Sequence, residues 1–221
     1  MADALKLKID RMTPEGPGMA RPPGQRVHFV PYTAPGDTIE AVVRQSKSGY
    51  VRASMTKLLE AGPGRIEPRC VLHYSPAMAE AGKAPCGGCD WQHLSYATQL
   101  ESKRTLVRDC LFRIAKLREP RVQAPLASPG EWRYRNKVLV PFGTAKGRLV
   151  AGFYSPGSRN IINFEDCLIQ PEGSVAIVQA VKKLASEYKW KVYDEKRNGG
   201  WLRHLFVRTN AVGKSVAALV T

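Results

Sequence analysis

Cys86-Gly87-Gly88-Cys89 is the segment of this 221-residue chain with the clearest chemical potential. Two thiolates three positions apart can grip one metal centre, and the two glycines let the backbone fold tightly with amides directed at sulfur. Zinc ribbons and redox enzymes use the same spacing. A thioredoxin-type role needs a strand before the motif and a helix opening at it, and neither signal is present. Cys70 lies 15 intervening residues upstream of Cys86, and 77 residues separate Cys89 from Cys167. If the fold unites them, Cys70, Cys86, Cys89 and Cys167 complete a four-thiolate site, suited to tetrahedral zinc or to an iron–sulfur cluster. The 1 + 2 + 1 spacing leans towards a cluster but does not decide the metal. His73 and His93 flank the motif and read as hydrogen-bonded structural residues. Cys110 falls on an apolar helical stripe, where a cysteine acts as a small core hydrophobe.

The charge balance points to the partner. There are 34 Lys and Arg against 19 Asp and Glu, a net charge of +15. The excess is uneven: residues 61–94, which hold three of the cysteines, are neutral, and 171–221 carry +5. Basic residues recurring within element-like stretches suit a polyanion lying across a folded surface, where neutralised phosphates release counterions. At 43% apolar residues the chain can build real cores. No run approaches the ~20 apolar residues that span a bilayer. The alternating start, Leu5-Lys6-Leu7-Lys8-Ile9-Asp10, is not a signal-peptide pattern. The expected partner is a nucleic acid and not a membrane, and the expected compartment is the cytoplasm, where thiols stay reduced.

The elements that position these residues fall into two groups. Short alternating strands at Leu5–Ile9, Val27–Val30, Ile39–Val43 and Tyr50–Leu59, separated by Gly16-Pro17-Gly18 and Pro35-Gly36-Asp37, predict a small OB-like barrel of about five strands. Ala61-Gly62-Pro63-Gly64 marks the expected boundary, giving domains over 1–62 and 63–221. Beyond it Ser95 reads as an N-cap of a helix running to about Leu117, with Leu100, Val107, Cys110, Leu111, Ile114 and Leu117 on one stripe. Arg135–Phe142 and Arg148–Tyr154 flank a Thr144-Ala145-Lys146-Gly147 turn as a hairpin. A second helix is expected from Pro171, in its first turn, to Tyr188. Leu202–Arg208 and Ser215–Val220 form a further strand pair. The fold class is therefore α+β, a barrel followed by a hairpin-built domain.

For RNA contact the favoured residues are Arg133, Tyr134, Arg135 and Lys137, with Lys146 and Arg159 in the same hairpin region. Arginine pairs phosphates bidentately, and tyrosine stacks on an unpaired base. Trp91 and Trp132 read as core residues.

Several motifs together resemble a known family. Arg69-Cys70, Pro85-Cys86-Gly87-Gly88-Cys89-Asp90-Trp91-Gln92-His93-Leu94, Tyr96, Gln99-Leu100 and Lys103 are similar to the iron–sulfur region of bacterial RNA uracil-C5 methyltransferases, above all those acting on 23S ribosomal RNA. Glu15-Gly16-Pro17-Gly18-Met19-Ala20, Phe29-Val30-Pro31 and Pro35-Gly36-Asp37 resemble the TRAM domain. Tyr134-Arg135-Asn136-Lys137, Gly152-Phe153-Tyr154, Ser158, Ile161-Ile162 and Cys167 resemble the family's later segments.

The resemblance implies a [4Fe–4S] cluster on Cys70, Cys86, Cys89 and Cys167, and an RNA substrate, ribosomal or else transfer RNA, with no DNA partner. It also implies S-adenosylmethionine chemistry, in which a cysteine thiolate adds to C6 of uracil to make C5 nucleophilic. No Gly-rich strand-to-helix turn for that cofactor appears here, and no cysteine remains for the nucleophile. The expectation is thus the RNA-binding, cluster-bearing front part of such an enzyme, with no catalytic residue, S-adenosylmethionine entering only through a missing domain, and no activity of its own. The stop at Thr221, at a strand end, reads as missing sequence, and helix 95–118 is expected to pack towards the missing domain. The alternative is a stand-alone RNA-binding module with a structural metal site.

Overall fold

The computed structural model describes residues 4–221. Contacts divide the chain into two units, one running to Val71 and including Cys89–Ala127, the other made of Leu72–Gly88 and Ser128–Thr221. This differs from a single cut after Gly62. The strap beyond Gly62 stays with the first unit because its backbone is tied there: Arg65 N–H donates to Gly62 O, Ile66 N–H to His93 O and Ser95 N–H to Gly64 O.

In the first unit, strands β1 (Leu5–Lys8), β2 (Arg11–Met12), β3 (Gly18–Ala20), β4 (Val27–Val30), β5 (Thr38–Ser46) and β6 (Tyr50–Glu60) form one sheet in the order β1-β5-β6-β4-β3-β2. All neighbours are antiparallel except β4 and β6. β1 and β2 occupy opposite edges, yet only Ile9 and Asp10 separate them in the chain. The sheet must curl until its edges approach, which gives the barrel-like shape expected. Six strands appear where about five are predicted, because the short strands flanking Gly16-Pro17-Gly18 are too brief to show a period. Ile9, Ala20, Val30, Ile39 and Ala41 fill the interior.

The turn at Asp37 is the unit's polar knot. Its carboxylate is fully buried and accepts from Ala34 N–H at 2.6 Å, Gly62 N–H at 2.8 Å and the Arg65 guanidinium at 2.6 Å. Arg65 also donates to Tyr32 O. Buried charges persist only when paired and hydrogen-bonded in this way.

Helix α2 (Tyr96–Arg113) starts where the sequence places it, with the Ser95 hydroxyl accepting from Thr98 N–H. It ends four residues before Leu117. Its apolar stripe is uncovered: Val107, Ile114, Leu117 and Cys110 are exposed, and Ser102 is the helix's buried residue. Cys110 is therefore corrected from a packed hydrophobe to a surface thiol.

The second unit starts with the short helix α1 (Pro76–Glu80) and continues with β7 (Lys137–Ala145), β8 (Arg148–Tyr154), β9 (Ile161–Asn163), helix α3 (Glu172–Glu187), β10 (His204–Thr209) and β11 (Ser215–Val220). The sheet order is β11-β10-β7-β8-β9, all antiparallel. Lys146 and Gly147, at φ 50° and 75°, make the tight left-handed turn that matches hairpin twist. Val138, Val140, Phe142, Leu205 and Val207 face α3, which contributes Val178 and Ala185. Pro171 caps α3 from outside its first turn, in the extended conformation (ψ 143°) that a cap position takes. The overall class is mixed α+β, as expected. No helix among the described residues is long and apolar enough to cross a membrane.

Candidate nucleic-acid interface and the cysteines

Strand alternation puts Lys137 and Leu139 on the open face of β7, opposite buried Val138 and Val140. Register then brings in residues the sequence reading did not single out. Lys137 pairs with Arg208 and Leu139 with Phe206 on β10, and directly paired residues share a face. Lys137 and Arg208 are both exposed and Leu139 is half exposed, so two cations sit beside an apolar surface. The alternation His204-Leu205-Phe206-Val207-Arg208-Thr209 held the signal for Arg208. What it lacked was the register. Next to this face Arg203 lies 3.6 Å over the Tyr193 ring. Burial, then the charge of Arg203, lowers the pKa of His204 below its ordinary value.

Tyr134 and Arg135 are exposed just before β7, with Arg135 N–H donating to Ile169 O. Arg133 is committed differently. Its guanidinium makes two 2.8 Å bonds to Asp166 and donates to the carbonyls of Cys167 and Gln170. The hydrogen bonds that Arg133 donates to Asp166 raise the Arg133 pKa and hold the Asp166 carboxyl below its usual value. Arg133 thus fixes the loop that carries Cys167 and has its donors engaged there.

Lys146, at the β7–β8 turn, lies nine residues along the strand from Lys137, roughly 25–30 Å at strand rise. Arg159, beyond β8, is ion-paired with Glu195 at 2.5 Å. The six expected RNA contacts are therefore not one site: Tyr134, Arg135 and Lys137 are near neighbours in the chain, Lys146 lies at the far end of β7, and Arg133 and Arg159 are engaged by carboxylates.

Cys70 and Cys89 belong to the first unit, and Cys86 and Cys167 to the second. Cys70 N–H donates to Gln92 Oε1. Cys86 N–H donates to Leu72 O, and Gly87 N–H to Tyr154 O, so closely that a Cβ on Gly87 would lie 2.6 Å from that oxygen. Gly88 N–H points at Cys86 Sγ at 3.4 Å. A tight glycine turn with an amide on sulfur is what a ligating thiolate uses, so the local chemistry fits a thiolate-held metal. Yet among the described residues no group of three or more His, Cys, Asp or Glu side chains is gathered to hold a metal ion. His93 is structural, as expected: it is buried, with Nε2 3.0 Å from Thr33 O. Trp91 packs beside Met12, Ala34 and Leu94 and donates to Gly16 O.

Residues 4–56 match the TRAM domain. An uncharacterized RNA methyltransferase of Halalkalibacterium halodurans is 36% identical over 220 residues, covering 99% of this chain and 46% of that protein. Another from Synechocystis is 37% identical over 205 residues, 92% of this chain and 42% of that protein. The chain spans a little under half the length of the curated relatives it matches. The crystal structure of Pyrococcus abyssi tRNA (uracil-54, C5)-methyltransferase with S-adenosyl-L-homocysteine matches at TM-score 0.65 and 23% identity, over 97% of this chain and 45% of that one.

These matches overturn the expectation of a front part set apart from catalysis, and equally the stand-alone binding module. RNA methyltransferases align with 99% of the chain. RNA, the partner implied by the family resemblance and in keeping with the charge pattern, is the one that the TRAM match and these relatives support.

Proposed function

From a chain that carries a TRAM domain and is related along its length to RNA methyltransferases, we propose a role in the S-adenosylmethionine-dependent methylation of uracil C5 in RNA, with ribosomal RNA as the substrate. The observation that carries this reading is the alignment of RNA methyltransferases with 99% of the chain. The uracil-C5 assignment draws on the family motifs around Cys86 and Tyr134 and on the like-folded enzyme. S-adenosylmethionine supplies the methyl group when bound.

The assigned residues of this chain bind and position RNA. Lys137 and Arg208 meet phosphates as exposed cations, and Tyr134 offers a ring to an unpaired base. Arg133 positions the Cys167 loop through Asp166. None is given a covalent step. Cys70, Cys86, Cys89 and Cys167 are proposed to hold a [4Fe–4S] cluster, supported by the four-thiol donor set and the amide directed at Cys86 Sγ. The compartment proposed is the cytoplasm.

Nucleoside analysis of RNA from cells with and without the gene tests the reading. Loss of 5-methyluridine from 23S ribosomal RNA is expected. Loss from transfer RNA alone overturns the ribosomal assignment, and unchanged 5-methyluridine in both overturns the proposal. For the cluster, anaerobic reconstitution with iron and sulfide is expected to give about four irons per chain, and Cys86→Ser to abolish uptake. Stoichiometric zinc with no chromophore contradicts it.

A further inference from the structure

An open cleft of about 830 Å³ lies within the second unit, between the β7–β8 turn, the C-terminal end of α3 and the loop that follows it. The functional reading above leaves it without a role. Its volume falls within the ~300–1,000 Å³ range of ligand sites. Its walls combine two chemistries. Leu149, Ala185, Val192 and Trp190 supply an apolar floor continuous with the core of the unit. Around them stand Arg148, Lys189, Lys191 and Arg197, with Asp194 as the lining acid. Asp194 is 3.8 Å from Arg197. Among the described residues Arg148, Lys189 and Lys191 have no ion-pair partner, and all three are exposed at the rim. Trp190 is half-buried, with its ring 5.1 Å from that of Trp201.

We infer that this cleft takes an unpaired segment of RNA, one base lying on the Trp190 floor and the flanking phosphates on Arg148, Lys189 and Lys191. This rests on the RNA reading above and adds a second, separate contact region to it. The pairing of a flat aromatic floor with unneutralised cations at its rim suits single-stranded nucleic acid, which presents a flat base between charges at every step. A duplex keeps its bases stacked inside and cannot reach such a floor. Lys146, far along β7 from Lys137, sits beside the cleft-lining Gly147 and extends the same basic rim. The exposed lysine at the hairpin turn thereby acquires a setting that the Lys137 face does not give it.

The test uses a short oligouridylate carrying one 4-thiouridine, irradiated with the whole protein. Photo-crosslinks mapped by mass spectrometry are expected within the peptide 189–201. Lys189→Glu with Lys191→Glu is expected to lower oligouridylate affinity at least tenfold and to reduce the log–log salt slope by about two, at roughly 0.7 per phosphate contact plus the reversed charges. Arg148→Glu, on a different element, gives an independent variant, and thermal melts check that each is folded. Crosslinks confined to Tyr134–Lys137, with unchanged affinity in the folded Glu variants, overturn the cleft while leaving the RNA reading in place. Polyglutamate displacing the oligouridylate at equal charge concentration also overturns it, in favour of an acidic peptide. No binding of any RNA by the wild type removes the RNA reading and the cleft together.

Discussion

The Asp37 turn and the open face of β7 and β10 are both built from opposite ideas of where charge belongs. At the turn, one carboxylate has no solvent exposure and spends all its acceptor capacity on two amides and a guanidinium. On the sheet face, Lys137 and Arg208 stand side by side, exposed, like-charged across strands. The first arrangement holds a curled sheet to its strap. The second costs the fold a little repulsion and leaves two cations for a ligand. Net charge alone counts Arg65 and Lys137 equally, and only placement separates structure from binding.

The largest effect that tests this contrast is Asp37→Ala. It leaves the Arg65 guanidinium largely buried without its counter-charge and two amides without an acceptor, a loss of about 3–5 kcal/mol. Chemical denaturation of the whole chain checks it, and a loss below 1 kcal/mol would show the knot to be incidental. Arg133→Ala comes next. Its ion pair with Asp166 is partly solvated, so the pair itself is worth less, and about 1 kcal/mol is expected. RNA affinity should hardly change, because Arg133 is engaged with Asp166 and two carbonyls. A steep loss of RNA binding with no loss of stability would return Arg133 to the interface.

The sequence made local periods and turns legible. Alternation placed β1, β4, β7, β8 and β10, and Ser95 announced the start of α2, because these depend on neighbours in the chain. It misread what depends on distant partners. The stripe from Leu100 to Leu117 has a helical period, but a period says only that one face is apolar, not that anything covers it. Arg133 looked like its exposed neighbours because Asp166, which claims it, lies 33 residues away. Alternation marks Arg208 as outward-facing, but strand register, not spacing, sets it beside Lys137. The cleft at Trp190 comes from three segments that carry no common motif.

On the open face, Lys137→Ala and Arg208→Ala are each expected to weaken RNA binding severalfold and to lower the salt slope by about one, with stability within about 0.5 kcal/mol of wild type. Their double variant should lower the slope by about two, since each removes its own phosphate contact. A slope change in one variant alone would move the other residue out of the interface.

The smallest effect concerns the other end of β10. Burial first, and Arg203 second, hold the His204 pKa below 6.5, so between the folded value and 6.5 the unfolded chain binds the proton more readily than the folded one. Stability therefore rises with pH across that window and is lost as the solution is acidified through it. His204→Gln keeps a polar side chain on the strand but removes the titration. Melting curves between pH 7.5 and 5.5 should show a slightly smaller acid-induced drop for the variant than for wild type, well below the Asp37→Ala effect. If the two profiles coincide, the half-buried imidazole behaves like a solvated one, and the face around Arg203 is more open to water than its packing implies.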